Sequence, residues 1–177
     1  MGNSKEIITN RLKLRRINTS DIEAIAELAN YPEISSFTMR MPYPSSQDFI
    51  RNWIEQDLAF NSDDSGFFVI HIKDSNVIIG VIGLEIDLKN ENAELGYWLG
   101  INYWGQGFCT EAAKDILQYG FDKLMLNRIW TFYIEGNDSS KRVLEKIGMT
   151  YEGTFRKHIK KSGIFKDLFY YSKLKSD

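Results

Sequence analysis

Cysteine is almost missing from this 177-residue chain. The single thiol, Cys109, excludes an intrachain disulfide and a zinc site built on several cysteines. A lone free thiol fits a reducing compartment, so a cytoplasmic protein is expected. Proline is nearly as scarce, and all three residues fall within YPEISSFTMRMPYPSS (31–46), which is expected to be largely loop. Long apolar runs are missing too. The longest are strand-length, so no membrane span is expected. The opening MGNSKEIITNRLKL has no apolar stretch of signal-peptide type, and Glu6 stands where a myristoylation signal prefers Ser or Thr. Charge of one sign is not in excess either: 22 Lys and Arg face 24 Asp and Glu. With no overall positive field, direct nucleic-acid binding is not expected. The local basic cluster Arg156, Lys157, Lys160 and Lys161 reads as a solvated strand end. The only histidines, His71 and His158, are far apart, so they read as structural and no metal site is expected.

What is present is a globular composition, 43% hydrophobic and 14% aromatic, without repeats, low-complexity tracts or linkers. One domain over residues 1–177 is expected. RLKLRRI (11–17) alternates as a strand does. NTSDIEAIAELAN (18–30) begins with capping residues and places Ile22, Ile25, Ala26 and Ala29 on one helical face. SQDFIRNWIEQDLAF is a second helix by the spacing of Phe49, Ile50, Trp53, Ile54 and Leu58, and NSDDSG (61–66) breaks it. FFVIHIK and VIIGVIGLEI flank a short turn as a hairpin, and AELGYWLG (93–100) is a further strand. A helix from about 107 to 123, a strand at 128–135 and a capped helix at 137–148 follow. Two closing strands lie near 150–160 and 165–174. The segment 93–135 is a βαβ unit, which favours parallel pairing in an otherwise antiparallel sheet.

Between strand and helix in that unit stands YWGQGFCTEAA (103–113). A glycine turn that opens a helix exposes unpaired N–H groups with the helix dipole behind them, which suits an anion such as phosphate. Gly105 and Gly107 leave room for close approach. A P-loop is excluded because no Gly-Lys follows the turn. A dinucleotide fingerprint lacks its third glycine, since Thr110 stands there, although Glu135 could imitate the ribose-binding acid. That alternative stays open, against the many antiparallel strands. An ordinary tight turn is the bland alternative.

Trp104-Gly105-Gln106-Gly107-Phe108-Cys109, followed by Thr110-Glu111-Ala112, resembles the pyrophosphate motif of the GNAT superfamily of acyl-CoA-dependent N-acyltransferases. The wording is most similar to the branch of ribosomal-protein N-terminal acetyltransferases, the RimJ/RimL type. Trp104 and Cys109 depart from the broader family motif. NDSSKRVLEKIGM, YEGTFRK, GIFKDLFYYS and RLKLRR extend the resemblance over nearly the whole chain.

The resemblance implies an α/β fold: a mixed, mostly antiparallel sheet of about seven strands, a splayed central parallel pair and about four flanking helices. It implies acetyl-CoA as co-substrate and an amine-bearing acceptor. That acceptor is expected to be the N-terminal α-amine of a protein such as a ribosomal protein; a polyamine, amino acid or antibiotic amine is the alternative. A homodimer and a non-catalytic acyl-CoA-binding module are further possibilities. Trp98 and Leu99 are expected to pair with pantetheine, and Trp104, Gly105, Gln106, Gly107, Phe108, Cys109 and Thr110 to hold the pyrophosphate. Asn137 is expected to bind the cofactor. Ser140 is expected to serve the departing thiolate, because the tyrosine found in many relatives is replaced by Leu144. Glu94 is the first candidate for general base and Glu85 the second. Tyr97, Trp98, Tyr103 and Trp104 are read mostly as core or pantetheine wall.

Overall fold

The computed structural model describes residues 6–60 and 66–177, so the sequence readings over 1–5 and of the helix break at 61–65 lie outside the described residues. Two strands come first, β1 (Ile7–Ile8) and β2 (Leu12–Arg16). Alternation in β2 buries Leu12 and Leu14 completely. Then come α1 (Ile22–Ala29), α2 (Pro32–Phe37), α3 (Gln47–Phe60), β3 (Gly66–Ile72), β4 (Ile78–Asp87) and β5 (Asn92–Leu99). The chain continues through α4 (Phe108–Asp122), β6 (Arg128–Ile134), α5 (Asp138–Lys146), β7 (Thr150–Lys161) and β8 (Ile164–Leu174). The strands form one sheet in the order β1-β2-β3-β4-β5-β6-β8-β7. Every pairing is antiparallel except β5 with β6.

Among the described residues the sheet has eight strands and there are five α-helices, in line with the expected architecture of about seven and about four, with one short element added to each. The added strand, β1, is two residues long, too short for an alternating pattern. The added helix, α2, lies in the proline segment expected to be loop. Pro32 sits in its first turn, where a missing N–H costs no helical hydrogen bond.

Helices cover both faces. Leu12, Leu14, Ile70, Ile82, Leu95 and Ile129 meet Ala112, Ile116 and Leu117 of α4 and Leu144 of α5. On the other face, Val69 and Val81 meet Ile22, Ile25, Ile50 and Ile54 of α1 and α3. Each fully buried aliphatic side chain contributes about 1.5–3 kcal/mol.

One residue of the α3 pattern falls elsewhere. Leu58 is 41% exposed, and its neighbour Asp57 points inward. Asp57 pairs at 2.8 Å with buried Arg16, whose guanidinium also donates to the Phe67 carbonyl. An inward carboxylate is tolerated there because it meets a buried cation. His71 is 4% exposed, and burial with the nearby Arg15 and Lys13 charges holds its imidazole below the ordinary value, so it is a neutral core residue. His158 lies on the surface, edge-on to Phe155.

The strand that borders the site is packed too closely for any side chain at Gly80. This residue pairs with Leu99, and an added Cβ would sit 2.3 Å from the Trp98 carbonyl oxygen, which is backbone and cannot yield. Gly80→Ala is expected to destabilise the fold by about 3 kcal/mol or more. Chemical denaturation measures this, and an unchanged midpoint would contradict the packing described.

Candidate active site

Strands β5 and β6 begin side by side and then part. They pair only at Asn92–Arg128, Ala93–Ile129 and Glu94–Trp130. Beyond that point β5 stays with β4 up to Leu99, while β6 stays with β8 up to Ile134. The twist of two differently partnered strands opens a V between them. At the fork, the Thr131 hydroxyl donates to the Leu95 carbonyl at 2.7 Å. At the far end, the Trp104 indole donates to the Leu99 carbonyl at 2.7 Å. Alternate residues present backbone groups to the same side, so Tyr97, between those two, turns its main-chain N–H and C=O toward the V.

The glycine turn closes the wide end. Gly105 and Gly107 have φ of 75° and 81°, a region glycine enters without strain. Gly107 is the N-cap of α4 and has no side chain to cap it, so the first-turn amides face outward. The turn is tied down from behind. Glu111 accepts from Thr9 and from the backbone and side chain of Arg11. Arg11 also reaches the Gln106 carbonyl and stacks on Phe108. Burial pushes the Glu111 carboxyl up, but these hydrogen bonds outweigh it and hold the group below the usual range.

A cavity of about 640 Å³ fills the V. Trp98, Leu99, Trp104, Gly105, Gly107, Phe108, Cys109, Thr110, Asn137 and Ser140 all line it, as do Tyr97 and Tyr103. Gln106 does not; its side-chain amide donates to the Asn102 carbonyl. Arg142 and Lys146, on the α5 side, add positive charge to the wall. The sequence reading passed over these two cations, although with Ser139 their spacing of three and four puts them on one helical face. The arrangement fits a ligand with an anionic head and a long neutral arm. Free amides and two cations face the head, and an unpaired strand edge flanks the arm. Burial pushes the Cys109 thiol up to about 12, so it is no nucleophile.

A second cavity of about 180 Å³ opens on the other side of β5 and includes Glu85 and Glu94. Phe37, Thr38, Tyr97, Trp98, Asn137 and Ser140 line both cavities, so the two meet there. Asn137 accepts from the Ser140 N–H at 3.1 Å and caps α5, which sets Ser140 in the first turn. The Ser140 hydroxyl hydrogen-bonds the Tyr97 hydroxyl at 2.6 Å. Burial holds Tyr97 well above the usual phenol value, so it stays protonated. The sequence alone reads Tyr97 as core or pantetheine wall and does not disclose this pair. The partners are 43 residues apart and only the fold joins them.

Glu94 and Glu85 stand directly opposite each other on β5 and β4. Burial first, and then the Glu85 charge, raise the Glu94 carboxyl above its ordinary value, with Arg40 working against them. Arg40 forms an ion pair with Glu85. The segment carrying Arg40 is clasped by Lys161 of β7, whose ammonium donates to the Ser35 and Met39 carbonyls at 3.1 and 3.2 Å.

Comparison with known proteins agrees with this geometry. The model of the acetyltransferase (GNAT) domain matches residues 11–150. An uncharacterized N-acetyltransferase, p20 of Bacillus licheniformis, is 31% identical over 97% of each chain. The putative ribosomal N-acetyltransferase YdaF of Bacillus subtilis is 30% identical over 96% of this chain and 94% of its own. The crystal structure of a GNAT-family acetyltransferase from Bacillus anthracis superposes with a TM-score of 0.86 at 26% identity, covering 98% of this chain and all of the other. The forked strands, the glycine turn and these likenesses together show that the chain belongs to the GNAT family and is an acetyl-CoA-dependent acetyltransferase.

Proposed function

We propose that the chain acetylates the N-terminal α-amine of a protein by direct attack on acetyl-CoA, with both substrates bound at once. The observation that carries this reading is the meeting of the two cavities at Tyr97, Trp98, Asn137 and Ser140, with Glu94 on the acceptor side. The likeness to the putative ribosomal N-acetyltransferase supports the choice of acceptor. The small volume of the second cavity favours a free small-molecule amine as the second reading. The lone free thiol supports action in the cytoplasm, and the single continuous sheet supports one domain.

Acetyl-CoA, when bound, supplies the activated acyl carbon. The amides from Gly105 to Thr110, with Arg142 and Lys146, hold the diphosphate. The main chain at Tyr97 pairs with the pantetheine arm along the open edge of β5, between the Trp98 and Leu99 walls. The Leu99 amide, on the same side of β5 as the Tyr97 main chain, polarises the thioester carbonyl. Glu94 takes one proton from the acceptor ammonium and passes it to solvent, leaving a neutral amine. The new C–N bond forms as the C–S bond breaks, and the second amine proton balances the charge on sulfur. Ser140, held by Tyr97, gives the departing sulfur a hydrogen bond.

Coenzyme A at a hundredfold excess over Kd should stabilise the protein by about 2.7 kcal/mol, roughly 5–10 °C in Tm, whereas NAD should give no shift. Thiol release in the presence of a peptide and amine library, with mass-spectrometric identification of the product, then assigns the acceptor. A protein that ignores coenzyme A, or acetylates hydroxyls only, would sink the reading.

A further inference from the structure

The charges of the acceptor cavity are few and nearly cancelled. Glu85, Glu94 and Arg40 are the charged side chains lining it. Arg40 is already paired with Glu85. Lys161 places another cation just behind the wall, on the Ser35 and Met39 carbonyls. One carboxylate, Glu94, is therefore left to face an incoming ammonium. The remaining wall is mostly apolar: Met41, Phe49, Trp53, Phe67, Val81 and Phe132 surround the space. Trp53 and Phe67 meet edge-to-face at 5.2 Å, which stiffens that wall. A volume of about 180 Å³ holds about six non-hydrogen atoms at the packing of a liquid.

Resting on the acetyltransferase reading above, we infer that the acceptor is a monocationic amine: one ammonium facing Glu94, on a compact apolar body, with Arg40 excluding a second positive charge. A second ammonium would have to be desolvated against aromatic rings or placed beside the Arg40 guanidinium, and both are costly. An N-terminal residue with an apolar side chain and a free aliphatic monoamine share this chemistry. A polyamine does not.

The test compares n-pentylamine with the pentanediamine of equal length, and an N-terminal Leu peptide with its N-terminal Lys counterpart. Turnover and calorimetric binding of each are measured on the full chain with coenzyme A present. The wild type should favour the monocationic member of each pair by about tenfold. Arg40→Gln frees Glu85 to hold a second ammonium and should narrow that preference to about threefold or less. Glu85→Gln leaves Arg40 unpaired and should widen it. Should one variant fail to fold, the other still decides, since the two move the ratio in opposite directions. Turnover of the peptide but not of pentylamine assigns the acceptor to polypeptides, and the reverse assigns it to small amines. A wild type that prefers the diamine and the Lys peptide, or two folded variants that both leave the ratios unchanged, would overturn the inference. If no amine is acetylated, the acetylation reading falls instead, and the calorimetric ratios still decide the charge rule.

Discussion

Glu94→Gln should lower kcat by about 10²–10⁴-fold at neutral pH while leaving the coenzyme A-induced rise in Tm intact. The carboxylate has to be ionised to accept a proton, and its environment resists ionisation through burial and the facing Glu85. Wild-type kcat should therefore fall with acid along a limb centred above the ordinary glutamate value of 4.5. The residual activity of the variant should show no such limb. Stability should move the other way. A carboxyl whose folded pKa is raised binds more protons folded than unfolded, so ionised Glu94 opposes folding once the pH has risen through that window. Glu94→Gln should then unfold at a higher temperature than the wild type at neutral pH. A variant that is both fully active and unshifted in Tm would remove Glu94 from the mechanism. One that is inactive and also less stable would make it a structural residue.

The second large effect concerns the hydroxyl pair across the V. Ser140→Ala and Tyr97→Phe should each reduce kcat by about 10²-fold, the scale seen when a preorganised donor to a developing charge is removed. The double variant should lose far less than the product of the two, because both act through the hydrogen bond they share. A donor whose thiol is more acidic leaves more readily and should be less sensitive to either change. If losses multiply, or are equal for both donors, the pair does not serve the leaving sulfur. Neither change should prevent coenzyme A from raising Tm, since the glycine turn is untouched.

Much of the architecture was legible in the residues. The alternation of RLKLRRI and RIWTFYIE, the helical spacing from Phe108 to Phe121 and the stop at Gly148 each correspond to an observed element. These are local signals, set by the period of one strand or helix and by glycine at positive φ. The glycine turn was legible for the same reason, although the residues by themselves left an ordinary tight turn open beside an anion site. What escaped was α2, because proline reads as a breaker unless its place in the first turn is known. The burial of Asp57 escaped too, because the buried cation that meets it, Arg16, stands more than forty residues earlier and the Phe67 N–H that donates to it lies in the following strand.

The residues alone determined the order of most strands and helices and the glycine turn ahead of α4, together with Asn137 and Ser140 at the head of α5. All of these depend on neighbours within one or two turns of chain. Tertiary structure alone decided that Tyr97 meets Ser140, that Arg40 pairs with Glu85 beside Glu94, and that Lys161 clasps the segment carrying Arg40. Each of those contacts joins segments at least 43 residues apart in the chain. No periodicity records such a meeting, because it is fixed by how the sheet twists and not by what stands next along the chain.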